Sequence, residues 1–396
     1  MRTDLHSSHA ETAAGAIAEG VLRACVHCGM CNATCPTYQI TGDELDGPRG
    51  RIYLIKQALE GEAVGRLTQV HLDRCLACRA CETTCPSGVE YHRLFDVGRE
   101  VVAAKVRRPW FERLSRSLIR WLCLERGPRR VLAALARAAT LWPAKGTSGS
   151  APDRVHATRM ALLGGCVQAA AAPHFNAVTR RVFDKIGITL AETPGAGCCG
   201  ALSFHLDAFD EARTLARRNI DAWIADIDAG AGAGAIIVNA SGCAAFIRDY
   251  PDILADDPAY AQKARRVADL VRDPVEILGE AALSAARPPA HPSIAVHDPC
   301  TLRNGPRLEG AVARLLAGLG YDPQTVKDSH LCCGSAGAYS LLQPRFARRL
   351  RADKIAALTA SAPDAICTAN IGCWLHLAAK SPVPVRHWIE AVDEVI

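Results

Sequence analysis

The sequence predicts a multidomain α+β protein, with a helical N-terminal domain followed by two duplicated α/β domains. Two observations predict this architecture. One pattern of four cysteines occurs twice within residues 25–86, and a different cysteine pattern occurs twice after residue 153. The second pattern follows short apolar runs that alternate with longer helical stretches, as in α/β domains. We expect domains at residues 1–100, 154–285 and 286–396, with a basic helical segment and linker at 101–153.

The first pattern is a cysteine triplet with a fourth cysteine before a proline. One copy contains Cys25, Cys28, Cys31 and Cys35. The other repeats every spacing with Cys75, Cys78, Cys81 and Cys85. This spacing is typical of bacterial ferredoxins with two 4Fe–4S clusters, in which each fourth cysteine ligates the other cluster. It therefore predicts one cluster on Cys25, Cys28, Cys31 and Cys85, and a second on Cys75, Cys78, Cys81 and Cys35.

Zinc and disulfides are the alternatives to iron at these cysteines. Zinc sites usually contain two separated CxxC pairs rather than a triplet and a fourth cysteine before proline. A disulfide framework requires an oxidising compartment, and we expect no signal peptide because residues 1–15 are polar. With 18 cysteines in 396 residues, metal ligation is favoured. We expect residues 1–15 to form a short flexible arm before a helix at about residues 16–23.

A helix is also predicted between the two copies. Residues 42–50 are rich in turn formers, and Ile52, Ile55 and Leu59 can share one face of a helix over residues 51–59. Five arginines lie near the predicted ligands and could offset the charge of a reduced cluster. They are Arg23, Arg49, Arg51, Arg74 and Arg79. For each, a solvated surface position is the alternative.

Residues 101–141 predict one or two basic helices that carry Trp110, Phe111, Trp121 and Trp142. From residue 99 to 145 the chain has 12 Arg and Lys against three Glu, a net +9, so the other residues net −4. Basic residues beside aromatic ones are typical of a helix on an anionic membrane surface, of a docking surface, or of a solvated face. A linker follows at residues 143–153. Cys123 has no partner spacing, and no role is predicted for it.

Charge and hydropathy limit the classes of protein. A net charge of +5 is too small to indicate nucleic-acid binding. No run approaches the 18 consecutive apolar residues of a membrane span. We therefore expect a cytoplasmic protein, with peripheral contact at the cytoplasmic face of the inner membrane as the alternative.

The second cysteine pattern is duplicated with matched spacing. The first repeat contains Cys166, Cys198 and Cys199 before a glycine, and Cys243; the second contains Cys300, Cys332 and Cys333 before a glycine, and Cys373. The gap from the single cysteine to the pair is 32 residues in both. Such matched spacing indicates duplicated domains. Each single cysteine follows a short apolar run, so we expect these cysteines at the carboxyl ends of parallel strands, where α/β sheets bind ligands.

Together these motifs resemble the iron–sulfur subunits of membrane-linked dehydrogenases. That group includes anaerobic glycerol-3-phosphate dehydrogenases, lactate-utilisation proteins and heterodisulfide reductases. Five runs resemble the glycolate oxidase iron–sulfur subunit family in particular. They are residues 23–29 (RACVHCG), 33–38 (ATCPTY), 42–56 (GDELDGPRGRIYLIK), 328–337 (DSHLCCGSAG) and 368–373 (TANIGC).

The resemblance implies an electron-transfer subunit of an oxidoreductase complex. It implies FAD on partner flavoprotein subunits that oxidise glycolate to glyoxylate, and electron transfer through the two clusters to a quinone-type acceptor. The chain has no GxGxxG fingerprint of its own, and without a hydride-accepting cofactor it cannot oxidise an alcohol alone. We therefore expect no catalytic residue here. Subunits of lactate or glycerol-3-phosphate dehydrogenases, and disulfide chemistry in the repeats, are the alternatives.

The metal content of the repeats stays open. The family pattern ends in CxxC, whereas here Ala240 precedes Cys243 and Asn370 precedes Cys373. The four remaining thiols of a repeat can still close a site for a further cluster or for zinc, and we expect at least one repeat to bind metal. A zinc-stabilised docking module is an alternative role. His205 and His330 flank the cysteine pairs, and for both we expect an ordinary loop histidine.

Overall fold

The computed structural model describes residues 1–124, 154–230, 234–287 and 292–396. In these ranges the chain forms the predicted helical domain and two α/β domains, each with one parallel sheet. Trp142, the rest of the basic segment after residue 124 and the predicted linker lie outside the described residues. Within the described ranges, every helix is too short or too polar to cross a membrane.

The N-terminal domain consists of helices joined by short loops. Its α-helices are Ser7–Ala10, Ala13–Ala24, Pro36–Thr41, Pro48–Leu59, Arg66–Asp73, Ala80–Thr83, Tyr91–Lys105 and Trp110–Leu124, and its 3-10 helices are Met30–Thr34 and Glu44–Asp46. The predicted face of Ile52, Ile55 and Leu59 is buried. It packs against Tyr91–Lys105 at Gly98, where a Cβ would lie 2.5 Å from Ile55. Only glycine permits so close an approach of the two helices.

The expected flexible N-terminal arm is wrong. The ammonium group of Met1 donates to the carbonyl oxygens of Leu22 at 2.8 Å and of Cys25 at 2.7 Å. Thr3 is buried, and residues 7–10 form a helix. The terminal charge satisfies carbonyls at the end of the helix Ala13–Ala24, where a cation is favoured. The chain terminus is thereby fixed next to the first predicted ligand.

The two α/β domains share one topology. In the first, β1 (Thr158–Leu162), β2 (Ile188–Ala191), β3 (Ile236–Ile237) and β4 (Val271–Arg272) form a parallel sheet in the order β2-β1-β3-β4. In the second, β5 (Ser293–His297), β6 (Asp322–Gln324), β7 (Ala365–Thr368) and β8 (Val385–His387) have the equivalent order β6-β5-β7-β8. Identical strand orders agree with the duplication predicted from the cysteine spacing.

Helices cover both sheets. In the first repeat they are Val167–Ala171, Pro173–Lys185, Ala201–His205, Phe209–Asp228, Ser241–Arg248, Tyr250–Ile253, Ala261–Leu270 and Val275–Ala285. In the second they are Cys300–Arg303, Ala311–Gly318, Tyr339–Leu342, Pro344–Thr359, Ile371–Ala378 and Trp388–Asp393. Cys166 and Cys300 follow β1 and β5, while Cys243 and Cys373 lie in helices that follow β3 and β7. The predicted position of the single cysteines after strands is confirmed.

The N-terminal domain contacts both repeats. Arg93 forms an ion pair with Asp252 of the first repeat at 2.8 Å. Asn304 of the second repeat donates to the carbonyl of Cys78 at 2.7 Å. An apolar core shared by the two repeats includes Leu162, Val296 and Trp388. The N-terminal domain and the two repeats therefore pack against one another around the cysteine-rich region.

Candidate iron–sulfur and cysteine sites

The fourth cysteine of the second copy lies beside the first triplet. Cys25, Cys28, Cys31 and Cys85 line one cavity, and we call these four residues the first cluster group. Burial and, to a lesser extent, the nearby thiols of Cys25, Cys85 and Cys28 together raise the pKa of Cys31 to about 11. Four thiols crowded in this way cannot all ionise unless a cation compensates their charge.

The fourth cysteine of the first copy lies in turn beside the second triplet. We call Cys75, Cys78, Cys81 and Cys35 the second cluster group. Burial raises the pKa of each triplet thiol, and Cys35 raises all three further. No thiol of either cluster group donates a hydrogen bond to another thiol of these groups in the described chain. Thiols that are grouped in space without bonding to one another fit a 4Fe–4S cluster, in which each sulfur binds a different iron.

One of the five arginines predicted near the ligands is fully buried against a thiol. Nη1 of Arg51 lies 4.0 Å from Sγ of Cys35, and its Nε donates to the carbonyl of His71 at 2.8 Å. The others serve ion pairs: Arg23 with Glu19, Arg49 with Glu44, Arg74 with Asp46, and Arg79 with Asp249. Arg51 is thus the arginine whose charge faces the second cluster group most directly.

The two cluster groups differ in their exposure. Cys28 of the first group is exposed, and the apolar side chains of Val26 and Met30 beside it are 68% and 53% exposed. Cys35 and Cys81 of the second group are buried, and the second repeat covers Cys78. Of the two groups as described, the first is the one with an exposed cysteine between exposed apolar side chains.

In the first repeat the four cysteines interact in a row, with Cys198 and Cys199 at its centre. Sγ of Cys198 lies 3.4 Å from Sγ of Cys166, and Cys199 interacts with Cys243. The amide of Gly200 donates to Sγ of Cys198 at 3.5 Å. The hydrogen bond with Cys166 favours the Cys198 thiolate, but Cys199 and burial outweigh it and raise the pKa of Cys198 to about 12.

The second repeat adds a histidine that the sequence analysis missed. Sγ of Cys333 and Cys373 lie 3.4 Å apart, and a ring nitrogen of His297 lies within 4.8 Å of both. Sγ of Cys300 and Cys332 are 4.0 Å apart. Burial lowers the pKa of His297 to about 3, so the imidazole is neutral, as a metal ligand must be. Its place at the end of β5, three residues before Cys300, was the signal in the sequence.

The histidines singled out from the sequence occupy other surroundings. His205 ends the helix Ala201–His205 and is packed near Phe204 and Phe246. Burial lowers its pKa to about 3. His330 is half-buried, and burial and Arg303 lower its pKa. Neither histidine belongs to a group of three metal-binding side chains in the described ranges.

Comparison with known proteins agrees with the division into an N-terminal cluster domain and two cysteine-rich repeats. Residues 21–89 match the 4Fe-4S dicluster domain family, and residues 160–248 and 294–378 match the cysteine-rich domain family. The glycolate oxidase iron-sulfur subunit of Escherichia coli K12 is 47% identical over all of this chain and 99% of its own length. The probable glycolate oxidase iron-sulfur subunit of Bacillus subtilis is 29% identical over 91% of the chain and 89% of its own length. Lactate utilization protein A of Bacillus licheniformis is 23% identical over 54% of the chain and 90% of its own length.

Proposed function

The chain belongs to the family of glycolate oxidase iron–sulfur subunits, and from this membership we propose that it is the electron-transfer subunit of a glycolate-oxidising complex. The observation that carries the proposal is the exchange of fourth cysteines between the two copies, which brings Cys85 to the first triplet and Cys35 to the second. The first cluster group then holds one 4Fe–4S cluster and the second group the other. When bound, such clusters supply one-electron transfer.

The residues of this chain bind and insulate the clusters and do no chemistry on the substrate. FAD belongs to partner flavoprotein subunits that oxidise glycolate to glyoxylate, because this sequence has no dinucleotide fingerprint. The exposed rim of Val26, Cys28 and Met30 suits a redox partner that approaches the first cluster group. Exposed apolar patches rimmed by polar residues mark interaction sites. The acceptor is a quinone-type molecule.

The helix Trp110–Leu124 supports a peripheral contact with the inner membrane. Its charged face points inward, where Arg116 and Arg120 pair with Asp207 and Glu211, and Arg108, just before the helix, pairs with Asp73. Its apolar face points outward and exposes Trp110, Phe111, Leu114, Leu118 and Trp121. Exposed Arg107 and Arg113 lie beside this face. An outward apolar face with aromatic residues and flanking cations fits the interface of an anionic bilayer, on the cytoplasmic side.

The cysteine-rich repeats complete the proposal. We assign metal binding to at least one of them, through cysteines of the two sets: Cys166, Cys198, Cys199 and Cys243, or Cys300, Cys332, Cys333 and Cys373. The bound species is zinc or a further cluster. We also propose units at residues 1–100, 101–153, 154–285 and 286–396.

The decisive experiment is anaerobic EPR on the complex purified through a tag on this chain, with flavin assayed alongside. Glycolate should reduce the clusters, and Cys81→Ala should abolish reduction of the acceptor while the flavoprotein still binds glycolate. Cys123→Ser is the matched control and should leave the signals unchanged. Turnover that persists in the assembled Cys81→Ala complex contradicts the relay. Clusters that glycolate leaves oxidised contradict the substrate, and lactate is then the next donor to test.

A further inference from the structure

We propose that the second repeat, and not the first, binds a single metal ion of the zinc class through His297, Cys333 and Cys373, with Cys332, the neighbour of Cys333, as the candidate for a fourth ligand. The inference rests on the proposed metal binding by the repeats and adds which repeat, which ligands and which kind of site. His297 is a ligand of a type that the cysteine pattern alone does not contain.

The sulfur spacing distinguishes one ion from a cubane cluster. Around a tetrahedral zinc with Zn–S bonds of 2.3 Å, neighbouring sulfurs lie about 3.8 Å apart. Sγ of Cys333 lies 3.4 Å from Sγ of Cys373, and Cys332 interacts with Cys333. In a cubane cluster each thiolate binds its own iron, so the cysteine sulfurs stand farther apart than around a single ion. The short spacing in the second repeat therefore fits one shared ion.

The surroundings hold these ligands in place. His297, Cys333 and Cys373 are all buried. The hydroxyl of Thr368 lies 2.9 Å from Nδ1 of His297 and fixes the orientation of the ring. The amide of Gly334 donates to Sγ of Cys332 at 3.4 Å. Metal ligands characteristically have such supporting hydrogen bonds, which preserve their geometry.

The first repeat lacks the equivalent site. Leu163 occupies the position three residues before Cys166 that His297 occupies before Cys300, and it packs in the apolar core of that domain. The metal-binding side chains of the described residues form a group of three at His297 but none around Cys166 to Cys243. Among the described residues, the first repeat therefore has a leucine where the second repeat places the imidazole that joins Cys333 and Cys373.

The site lies against the second cluster group. Cys300 of the same repeat is a close electrostatic neighbour of Cys78, and Asn304 donates to the Cys78 carbonyl at 2.7 Å. Zinc has no redox chemistry, so electrons do not pass through it. An ion bound here joins the end of β5 to the helix after β7. It thereby stabilises the part of the second repeat that packs against the second cluster group. The site is therefore structural.

Metal analysis of the intact complex tests the proposal, with X-ray absorption at the zinc edge as a second readout. The purified complex should contain about one zinc and about eight irons per copy of this chain. His297→Ala should lose the zinc, and His297→Cys should retain it because thiolate replaces imidazole. His330→Ala, a histidine of the same repeat, and Cys243→Ser in the first repeat should both retain it.

Several outcomes overturn the site. They are zinc that persists in His297→Ala, zinc that is lost from His297→Cys, and zinc that is lost from Cys243→Ser. Iron above eight per chain that disappears with Cys373→Ser identifies a further cluster instead. Reduction of the two clusters by glycolate is measured on the same samples, so a missing zinc with intact reduction refutes this inference alone and leaves the electron-transfer role standing.

Discussion

Nη1 of Arg51 lies 4.0 Å from Sγ of Cys35, and both side chains are buried. The guanidinium also donates to Thr37 at 3.2 Å and lies 3.8 Å from the fully buried Asp46. Asp46 in turn binds His71 and Arg74, each at 2.8 Å. A permanent positive charge is thus held beside one cluster group by a network that keeps it from solvent.

This charge should raise the potential of the cluster that Cys35 ligates. Arg51→Met removes one unit charge, worth on the order of 2 kcal/mol at an effective dielectric constant of 20, and should lower the midpoint potential of that cluster by roughly 80 mV. Arg49→Met removes a half-exposed arginine that pairs with Glu44 and should shift the potentials far less. EPR-monitored redox titration measures both variants. Equal shifts in the two variants would argue against a specific role for Arg51.

Because each fourth cysteine ligates the cluster of the other copy, we can predict which cysteine variants alter the same EPR signal. Cys85→Ser and Cys28→Ser should alter one EPR signal, whereas Cys35→Ser and Cys78→Ser should alter the other, because each pair ligates the same cluster. Spectra of the dithionite-reduced variants decide this, with iron content as a control. A change of the same signal by Cys85→Ser and Cys78→Ser would show that each copy binds its own cluster.

The ion-pair cluster around Asp207 should be a major source of stability. Asp207 accepts from Arg99 at 2.5 Å and from Arg108 at 2.7 Å, and it lies 3.2 Å from Arg116. Asp207→Asn keeps the shape but removes the carboxylate that pairs with Arg99 and one of the two carboxylates, the other being Asp73, that face Arg108 and Arg116, at a cost of about 3 kcal/mol. Thermal unfolding under anaerobic conditions measures the loss. Asp210→Asn, three residues away and exposed, should unfold like the unaltered protein.

Asp273 should make the protein less stable as the pH rises. Burial raises the pKa of Asp273 from its ordinary value of 3.8 to about 7. Between these values the folded state keeps a proton that the unfolded state has lost, so stability falls by at most about 4 kcal/mol from pH 4 to pH 7 and is constant above. Asp273→Asn should remove this fall and raise the melting temperature at pH 8.

The measurement is the difference in melting temperature between pH 5 and pH 8. Asn retains the oxygen that accepts from the amide of Val275 at 3.0 Å, so the helix cap survives in the variant. Burial raises the pKa of Asp96 to about 7 as well, so part of the pH dependence should remain. The exposed Asp269→Asn is the control. A pH dependence unchanged by Asp273→Asn would contradict the prediction.

The outward apolar face of Trp110–Leu124 predicts binding to anionic vesicles. Leu114→Ser combined with Leu118→Ser removes two exposed leucines and should weaken co-sedimentation with phosphatidylglycerol vesicles about tenfold. Leu341→Ser alters a leucine that is 66% exposed on the second repeat and should leave binding unchanged. If vesicle binding persists while the flavoprotein no longer copurifies, the face docks a protein partner instead.

The sequence predictions that the structure confirms rest on local patterns in the chain. The sequence predicted the strands because each single cysteine follows a short apolar run. It predicted the duplicated domains because the second cysteine pattern repeats its spacing. The helix expected over residues 51–59 ends at the expected residue and begins three residues earlier, as Pro48–Leu59. These features depend on residues that are close in the sequence, and the pattern of apolar residues along the chain reports on such local structure.

Features that depend on distant partners could not be read in the same way. Arg108 appears in the sequence as one cation of a basic segment, but its partner Asp207 lies 99 residues away. The Met1 ammonium is held by carbonyls 21 and 24 residues on. His297 is an ordinary strand residue until β5 and β7 are paired, which brings it to Cys373. Each case is a tertiary contact that overrides a local expectation.

The cover that the second repeat places over Cys78 has a consequence for maturation. The cover comes from Asn304, 226 residues later in the chain. Because this contact forms only once the C-terminal half has packed against the N-terminal domain, we expect iron and sulfide to reach Cys78 more easily before that packing. Domains fold in the order of their synthesis, so the N-terminal half is available first. The order of translation thus favours installing the cofactor before the second repeat is in place.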